Sequence, residues 1–258
     1  MNTITKYYAD AYGPDIKALV ACVRKAFELA DSDDKVECVV FYSYTKNNFM
    51  QVGKIFGEDN VNQMFSRPMK FKECTKPIKC ATEITYKREC QYKNMPKDVV
   101  VCCHMDSEAV FKVDDYMTAK YIIALSWNME GLNEWKMRWH AQNVSGSFTD
   151  NESKHEIDPI LPIALREMDN RMFNSKSLAH PDDEESCKTY VRTIHKYLQG
   201  VTPSDIENYL VTELGWNNRE SSEVGKLLQR LKDGRTFRGG QKTYLKEYYN
   251  HWKQQLIK

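Results

Sequence analysis

The run Val99, Val100, Val101, Cys102, Cys103, entered from Asp98, constrains the fold more than any other stretch. It is too short for an ordinary helix, and polar residues do not alternate with apolar ones. It therefore reads as a strand covered on both faces, the condition of a strand inside a parallel sheet. Tyr121 to Leu125 repeats the pattern, and Val36 to Tyr44, rich in Val, Phe and Tyr, reads as a third buried strand. Helical patterns lie between them. Ile16, Leu19, Val20, Val23 and Phe27 recur at spacings of three and four, and Phe49, Val52, Ile55 and Phe56 suggest a second helix. A connection over Ser107 to Ala119 and a closing helix around Trp135 and Trp139 follow the later strands. In Lys70 to Cys90, Phe71, Ile84 and Tyr86 fit one or two strands, with a turn at Pro77.

Strand, crossover, strand is the signature of a layered α/β domain. Residues 1–150 are expected to form a mainly parallel, three-layer (Rossmann-like) sheet of three to five strands. Ligands of such sheets sit at the carboxyl ends of the strands, which directs attention to the loops Ser43–Asn48, His104–Glu108 and Ser126–Glu130. The strand Val36–Tyr42 is followed by SYTKNNF, not by a glycine-rich turn, and no dinucleotide or P-loop fingerprint occurs. No cofactor is expected on this ground. The catalytic candidates are His104, Asp106 and Glu108, with Ser43, Lys46 or Asn128 joining them. A histidine beside two carboxylates suits a general base or a metal-assisted hydrolytic site. The competing reading makes His104 the strand end and Asp106 or Ser107 the cap of the next helix.

The eight cysteines contain no C-x-x-C pair and read as small core residues. A zinc site from Cys74, Cys80, Cys90 and His104 is the alternative, and a cluster of His155, Glu156 and Asp158 is a second one. No metal is expected from either. Trp135 and Trp139, four apart, share a helix face that packs on the sheet or a neighbouring domain; with Trp127 they could instead form a base-stacking platform.

Val144 to Lys154 is polar and marks the domain boundary, so 151–183 reads as a linker with a short helix over Ile163 to Met172. In 184–258 the pattern sharpens. Cys187, Tyr190, Val191, Ile194 and Leu198 mark one helix face. Thr202 and Pro203 start a second helix, and Val224, Leu227, Leu228 and Leu231 line a third. The segment Arg235 to Leu245 reads as two short strands around Gly239 and Gly240. The segments TPSDIENYLVTELGW, ESSEVGKLLQRLKDG and TFRGGQKTYL together resemble the winged helix-turn-helix family. The resemblance implies contact with DNA or RNA. Arg219, Ser222, Lys226, Gln229 and Arg230 would lie on or before the recognition helix, and Arg235, Arg238 and Lys242 on the wing. Glu220 and Glu223 oppose close docking there. The final stripe Leu245, Tyr248, Tyr249, Trp252 and Leu256 packs on this core or forms a homo-oligomer surface.

Three functions stay open: a nucleic-acid-associated protein whose α/β domain senses or processes a ligand, an enzyme acting on a phosphorylated or nucleotide-like small molecule, and a protein–protein assembly factor. No apolar run approaches the roughly 20 residues of a membrane span, and MNTITKYYAD has no apolar signal core, so a soluble cytoplasmic protein is expected. The net charge of +1 hides an uneven chain. From Glu184 onward 13 Lys and Arg face 9 Asp and Glu, whereas the remainder has 24 against 27. That asymmetry favours a polyanion partner for the second part.

Overall fold

The computed structural model describes residues 5–92, 97–116, 118–144, 157–173 and 176–256. Their contacts form two units, Met1–Asp150 and Asn151–Lys258. Most of the expected boundary stretch Val144–Lys154, together with His155 and Glu156 of the second metal alternative, lies outside the described residues.

The first unit has strands β1 (Thr5–Ala9), β2 (Cys38–Ser43), β3 (Met69–Phe71), β4 (Cys74–Thr82), β5 (Asp98–Cys102), β6 (Ala119–Leu125) and β7 (Gln142–Asn143). They lie in one sheet in the order β3-β4-β2-β5-β6-β1-β7, parallel throughout except for β3 against β4. Helices α1 (Ile16–Ser32), α2 (Met50–Phe56) and α3 (Glu58–Met64) cover one face. Helices α4 (Glu83–Cys90), α5 (Ser107–Asp115) and α6 (Asn133–Trp139) cover the other. The central strands feed both cores by simple alternation: Val39 and Phe41 point to the first, Cys38, Val40 and Tyr42 to the second. Every residue of β2 and β5 is buried, which is why neither shows a polar period.

Three local differences from expectation have identifiable causes. The sheet has seven strands because β1 and β7 join it. Strand β1 carries Lys6, which is buried, pairs with Asp114 at 3.0 Å and lies 3.4 Å from the centre of the Trp139 ring. Trp135 Nε1 donates to the same Asp114 at 2.8 Å. Pro77 sits inside β4 rather than in a turn. The ladder to β2 begins at Ile78, and the β3 ladder shifts register between Met69 and Phe71, so the missing amide falls at an irregularity. Ile84 and Tyr86 belong to α4, because Thr85 Oγ1 accepts the Thr82 backbone N–H at 2.8 Å and starts a helix there. All eight cysteines are thiols, and only Cys90 is not buried. Burial raises the Cys22, Cys80 and Cys187 thiols to about 12 and lifts Cys102 and Cys103 well above the ordinary value.

The second unit is helical: α7 (Ile160–Asn170), α8 (Pro181–Tyr197), α9 (Pro203–Thr212), α10 (Asn218–Lys232) and α11 (Leu245–Gln255). They share one core that includes Leu161, Leu165, Tyr190, Ile194, Leu210, Leu228 and Trp252. The helix expected in the linker is α7, and it is part of that core. The C-terminal aromatic stripe is drawn inward too: Trp252 is buried, stacks 5.6 Å from Tyr190 and donates to Glu167 at 2.9 Å.

The expected wing is absent; the unit has no strand among its described residues. The backbone groups of Phe237 to Gln241 that bond do so to α8, and those of Arg235 and Thr236 to Arg230 of α10. Arg192 donates to the carbonyls of Phe237 at 2.7 Å and Gly239 at 3.0 Å, and its guanidinium lies over the Phe237 ring. Gly240 N–H donates to Glu185 at 2.6 Å, and Gln241 N–H to Thr189 Oγ1 at 2.9 Å. Both glycines have positive φ, +90 and +68. A Cβ at Gly240 would come within 2.7 Å of Lys188 Cβ and 2.9 Å of the α8 backbone. Gly240→Ala is therefore expected to destabilise the chain by about 1–3 kcal/mol, measured by denaturant unfolding, through strain and loss of this close approach.

Candidate functional site

The parallel strands all end at one edge, and the chain leaves that edge in opposite directions at one point. From β2 it passes through α2 and α3 to β4; from the adjacent β5 it passes through α5 on the other face to β6. Such a divergence opens a crevice between two strand ends. Here the ends are Ser43 and Cys102, so two of the three loops expected to matter are adjacent, and the loop after β6 is next to them.

The edge is laced together by backbone bonds. Cys103 N–H donates to Tyr42 O at 2.8 Å, Met105 N–H to Leu125 O at 3.0 Å, and Gly13 N–H to Trp127 O at 2.8 Å. Ala11 N–H donates to Ser126 Oγ at 3.0 Å. Ser107 ties the β5 and β6 loops, because its amide and hydroxyl both donate to Gly131 O, at 2.8 and 3.0 Å.

His104 stands at this edge with φ +54, in the left-handed region, and is 7% exposed. Its ring meets Trp127 edge-on, with centroids 5.2 Å apart and planes at 82°. Neither ring nitrogen has a partner at strict hydrogen-bonding geometry among the described residues, although the Ser126 backbone lies close enough to favour the protonated ring. Leaving such a buried group unpaired costs about 1–3 kcal/mol. Burial holds the imidazole below its usual value of 6.5, although the Ser126 backbone and the Asp15 carboxylate act in the opposite direction. The neutral ring offers one donor and one acceptor.

The other candidates are committed elsewhere. Ser43 is buried and donates to Cys103 O at 3.1 Å. Asp106 caps α5, accepting Ala109 N–H at 3.0 Å, and also accepts the Tyr44 hydroxyl at 3.0 Å. Glu108 is exposed in the first turn of α5. Lys46 lies over the Phe65 ring, and Asn128 Oδ1 accepts Glu130 N–H at 3.1 Å. Among the described residues no hydrogen bond joins Ser43 or Asp106 to His104, so a nucleophile–base relay is not assembled. No three His, Cys, Asp or Glu side chains gather as a metal site among the described residues. Of the three tryptophans, Trp135 is buried and Trp139 half-buried, which leaves Trp127 as the exposed one.

The residues expected to contact nucleic acid differ in exposure, and several pair within the chain. On α10, Ser222 is half-buried and Arg219 exposed. Lys226 pairs with Glu223 at 2.9 Å, Gln229 donates to Asp233 at 2.6 Å, and Arg230 donates to Thr236 O at 3.2 Å. Arg235, Arg238 and Lys242 are exposed on the following segment. Of all these, Lys242 alone lines the open cleft formed by Arg192, His195, Lys196, Gln199, Leu231 and Leu245. The α8 residues Arg192, His195 and Lys196 were missed, yet they follow the i, i+3, i+4 spacing of one helix face, and Gln199 lies just beyond the helix end.

The His104 shift has a consequence for stability. The folded chain binds this proton less readily than the unfolded chain, so acid favours unfolding. The contribution of neutral His104 is intact above about pH 6.5, the unfolded value, and is lost as pH falls from there through the lower folded value. A His104→Phe variant is expected to show a shallower fall in Tm between about pH 7 and pH 5 than the parent chain, followed by thermal melts across that range.

Among known families, residues 157–253 match one described as a domain of unknown function (DUF1889). The match takes in α7 as well as the helices that follow it, and no winged-helix family is matched. The winged helix-turn-helix resemblance of residues 184–258 is thereby corrected: its helices belong to a five-helix unit that starts before residue 184. No curated protein and no solved structure matches the chain.

Proposed function

We propose that the chain is a binding protein whose α/β unit takes a small molecule at the carboxyl edge of its sheet, beside His104. One observation carries this reading: a buried histidine in the loop after β5, packed on Trp127 of the loop after β6, whose ring nitrogens lack partners at strict hydrogen-bonding geometry among the described residues. An unsatisfied polar group in an otherwise closed core lowers stability, and functional sites are where chains tolerate that cost. Recognition fits the geometry better than covalent catalysis, because Ser43 and Asp106 spend their hydrogen bonds on the fold. The test is equilibrium dialysis of the full chain against a mixed pool of small metabolites, read by mass spectrometry. A compound retained by the parent chain and lost by Trp127→Ala is the expected result. Equal retention by both would move binding away from this edge.

A second reading concerns the helical unit. The cleft brings Arg192, Lys196, Lys242 and His195 together, which favours a nucleic-acid phosphate backbone as its occupant. Arg192 also holds the neighbouring loop, so the variant to use is Lys196→Glu with Lys242→Glu. Binding to random-sequence duplex DNA or RNA should weaken by about tenfold or more between 50 and 200 mM salt and be lost in the double variant. Salt-independent binding, or no effect of the double variant, would end this reading.

A further inference from the structure

We infer that the molecule bound at the carboxyl edge is a planar heteroaromatic compound, neutral or positively charged, that stacks on Trp127 and hydrogen-bonds to His104; this rests on the edge being a small-molecule site.

The stacking surface comes from exposed apolar side chains on two joined loops. Trp127 is 53% exposed, Met129 56% and Tyr12 86%. The Gly13–Trp127 backbone bond ties the loop that carries Tyr12 to the loop that carries the other two. An indole and a phenol on adjoining loops suit a flat aromatic ring, and they attract a cation over their faces. The polar part of the match is His104. Its neutral ring presents one donor and one acceptor, a pattern complementary to the edge of a nitrogen heterocycle.

The charge preference follows from how the helices at this edge begin. An α/β protein that holds a phosphate does so with open amides at a helix start. At α1 and α5 the first amides are occupied by carboxylates of the chain itself, whereas α2 and α6 start without a side-chain cap. Asp15 accepts Lys17 N–H at 2.8 Å and Ala18 N–H at 3.1 Å at the start of α1. Asp106 accepts Ala109 N–H at the start of α5. Glu108 and Glu130 are exposed on the neighbouring loops. Of the nearby lysines, Lys136 pairs with Asp10 at 3.0 Å and Lys46 lies over Phe65, while Lys17 is exposed in the first turn of α1. An anion approaching the starts of α1 and α5 meets carboxylates where a nucleotide-binding sheet offers amides. This disfavours the phosphorylated substrate considered from the sequence.

Entry requires one side chain to move. The His104 nitrogens are closed off, and the half-exposed Trp127 indole packs on the ring. The loop backbone is held at Gly13 and by the Asn128–Glu130 turn. In this reading rotation of the Trp127 side chain admits the ligand to the imidazole while the loop backbone stays held.

The experiment titrates the full chain with adenine, 1-methylnicotinamide, AMP and inorganic phosphate. It follows the His104 ring signals by NMR and affinity by calorimetry. Adenine or 1-methylnicotinamide should shift the His104 signals and bind about tenfold or more weaker to Trp127→Ala, with Trp127→Phe retaining most of the affinity. AMP and phosphate should leave those signals in place. AMP binding as tightly as adenine at the same signals would overturn the charge preference while leaving the edge as a site. If none of the four shifts His104 although dialysis yields a compound lost in Trp127→Ala, the heteroaromatic class is overturned. If Trp127→Ala changes neither experiment, the site itself is overturned.

Discussion

Burial of the sheet on both faces is the constraint from which the rest of the first unit follows. With β2 and β5 wholly enclosed, their side chains are spent on two cores, and almost no polar group is left between the layers. One exception is Lys6 with Asp114 and Trp135, where a buried charge is tolerated because its partner and the indole N–H are both in place; another is Asp98 with Thr118 around the Tyr86 hydroxyl. Burial lowers the Lys6 ammonium and raises the Asp114 carboxyl, so desolvation opposes both charges. The side chains with chemistry left over are therefore at the strand ends.

The helical unit meets a different demand. Five helices pack around one core, and the segment joining α10 to α11 must lie against α8 to cover Phe237. Arg192 makes this possible by supplying donors to two carbonyls that a hairpin would have paired across strands. Gly239 and Gly240 provide the left-handed turn and the close approach to α8. The same guanidinium lines the cationic cleft, so the fold of the segment and the charge of the cleft depend on one side chain.

Much of this was legible in the sequence, and the failures share a cause. Val99–Cys103 and Tyr121–Leu125 announced buried parallel strands because they lack alternation, and the loops after them proved to adjoin. Strand β1 was not legible, since TKYYA hides a lysine whose partner Asp114 is more than a hundred residues away. The glycine pair read as a hairpin because glycine in the left-handed region is as useful to a strap as to a tight turn. His104 was singled out for a carboxylate neighbour, yet what marks it is a buried ring at the strand end with neither nitrogen at strict hydrogen-bonding geometry among the described residues, which no local pattern encodes. Local chemistry was readable; the destination of each hydrogen bond was not, because tertiary packing decides it.

The buried thiols turn the first unit into a record of its own opening. Cys22, Cys80, Cys102 and Cys103 lie in or against the sheet, closed to solvent and held protonated by their surroundings. An alkylating reagent attacks the thiolate, so a native molecule offers it little besides Cys90. Each further cysteine that reacts reports a moment when the layers parted around that residue. The chain carries, in residues that hold no ligand and make no disulfide, a set of internal clocks for the breathing of its core.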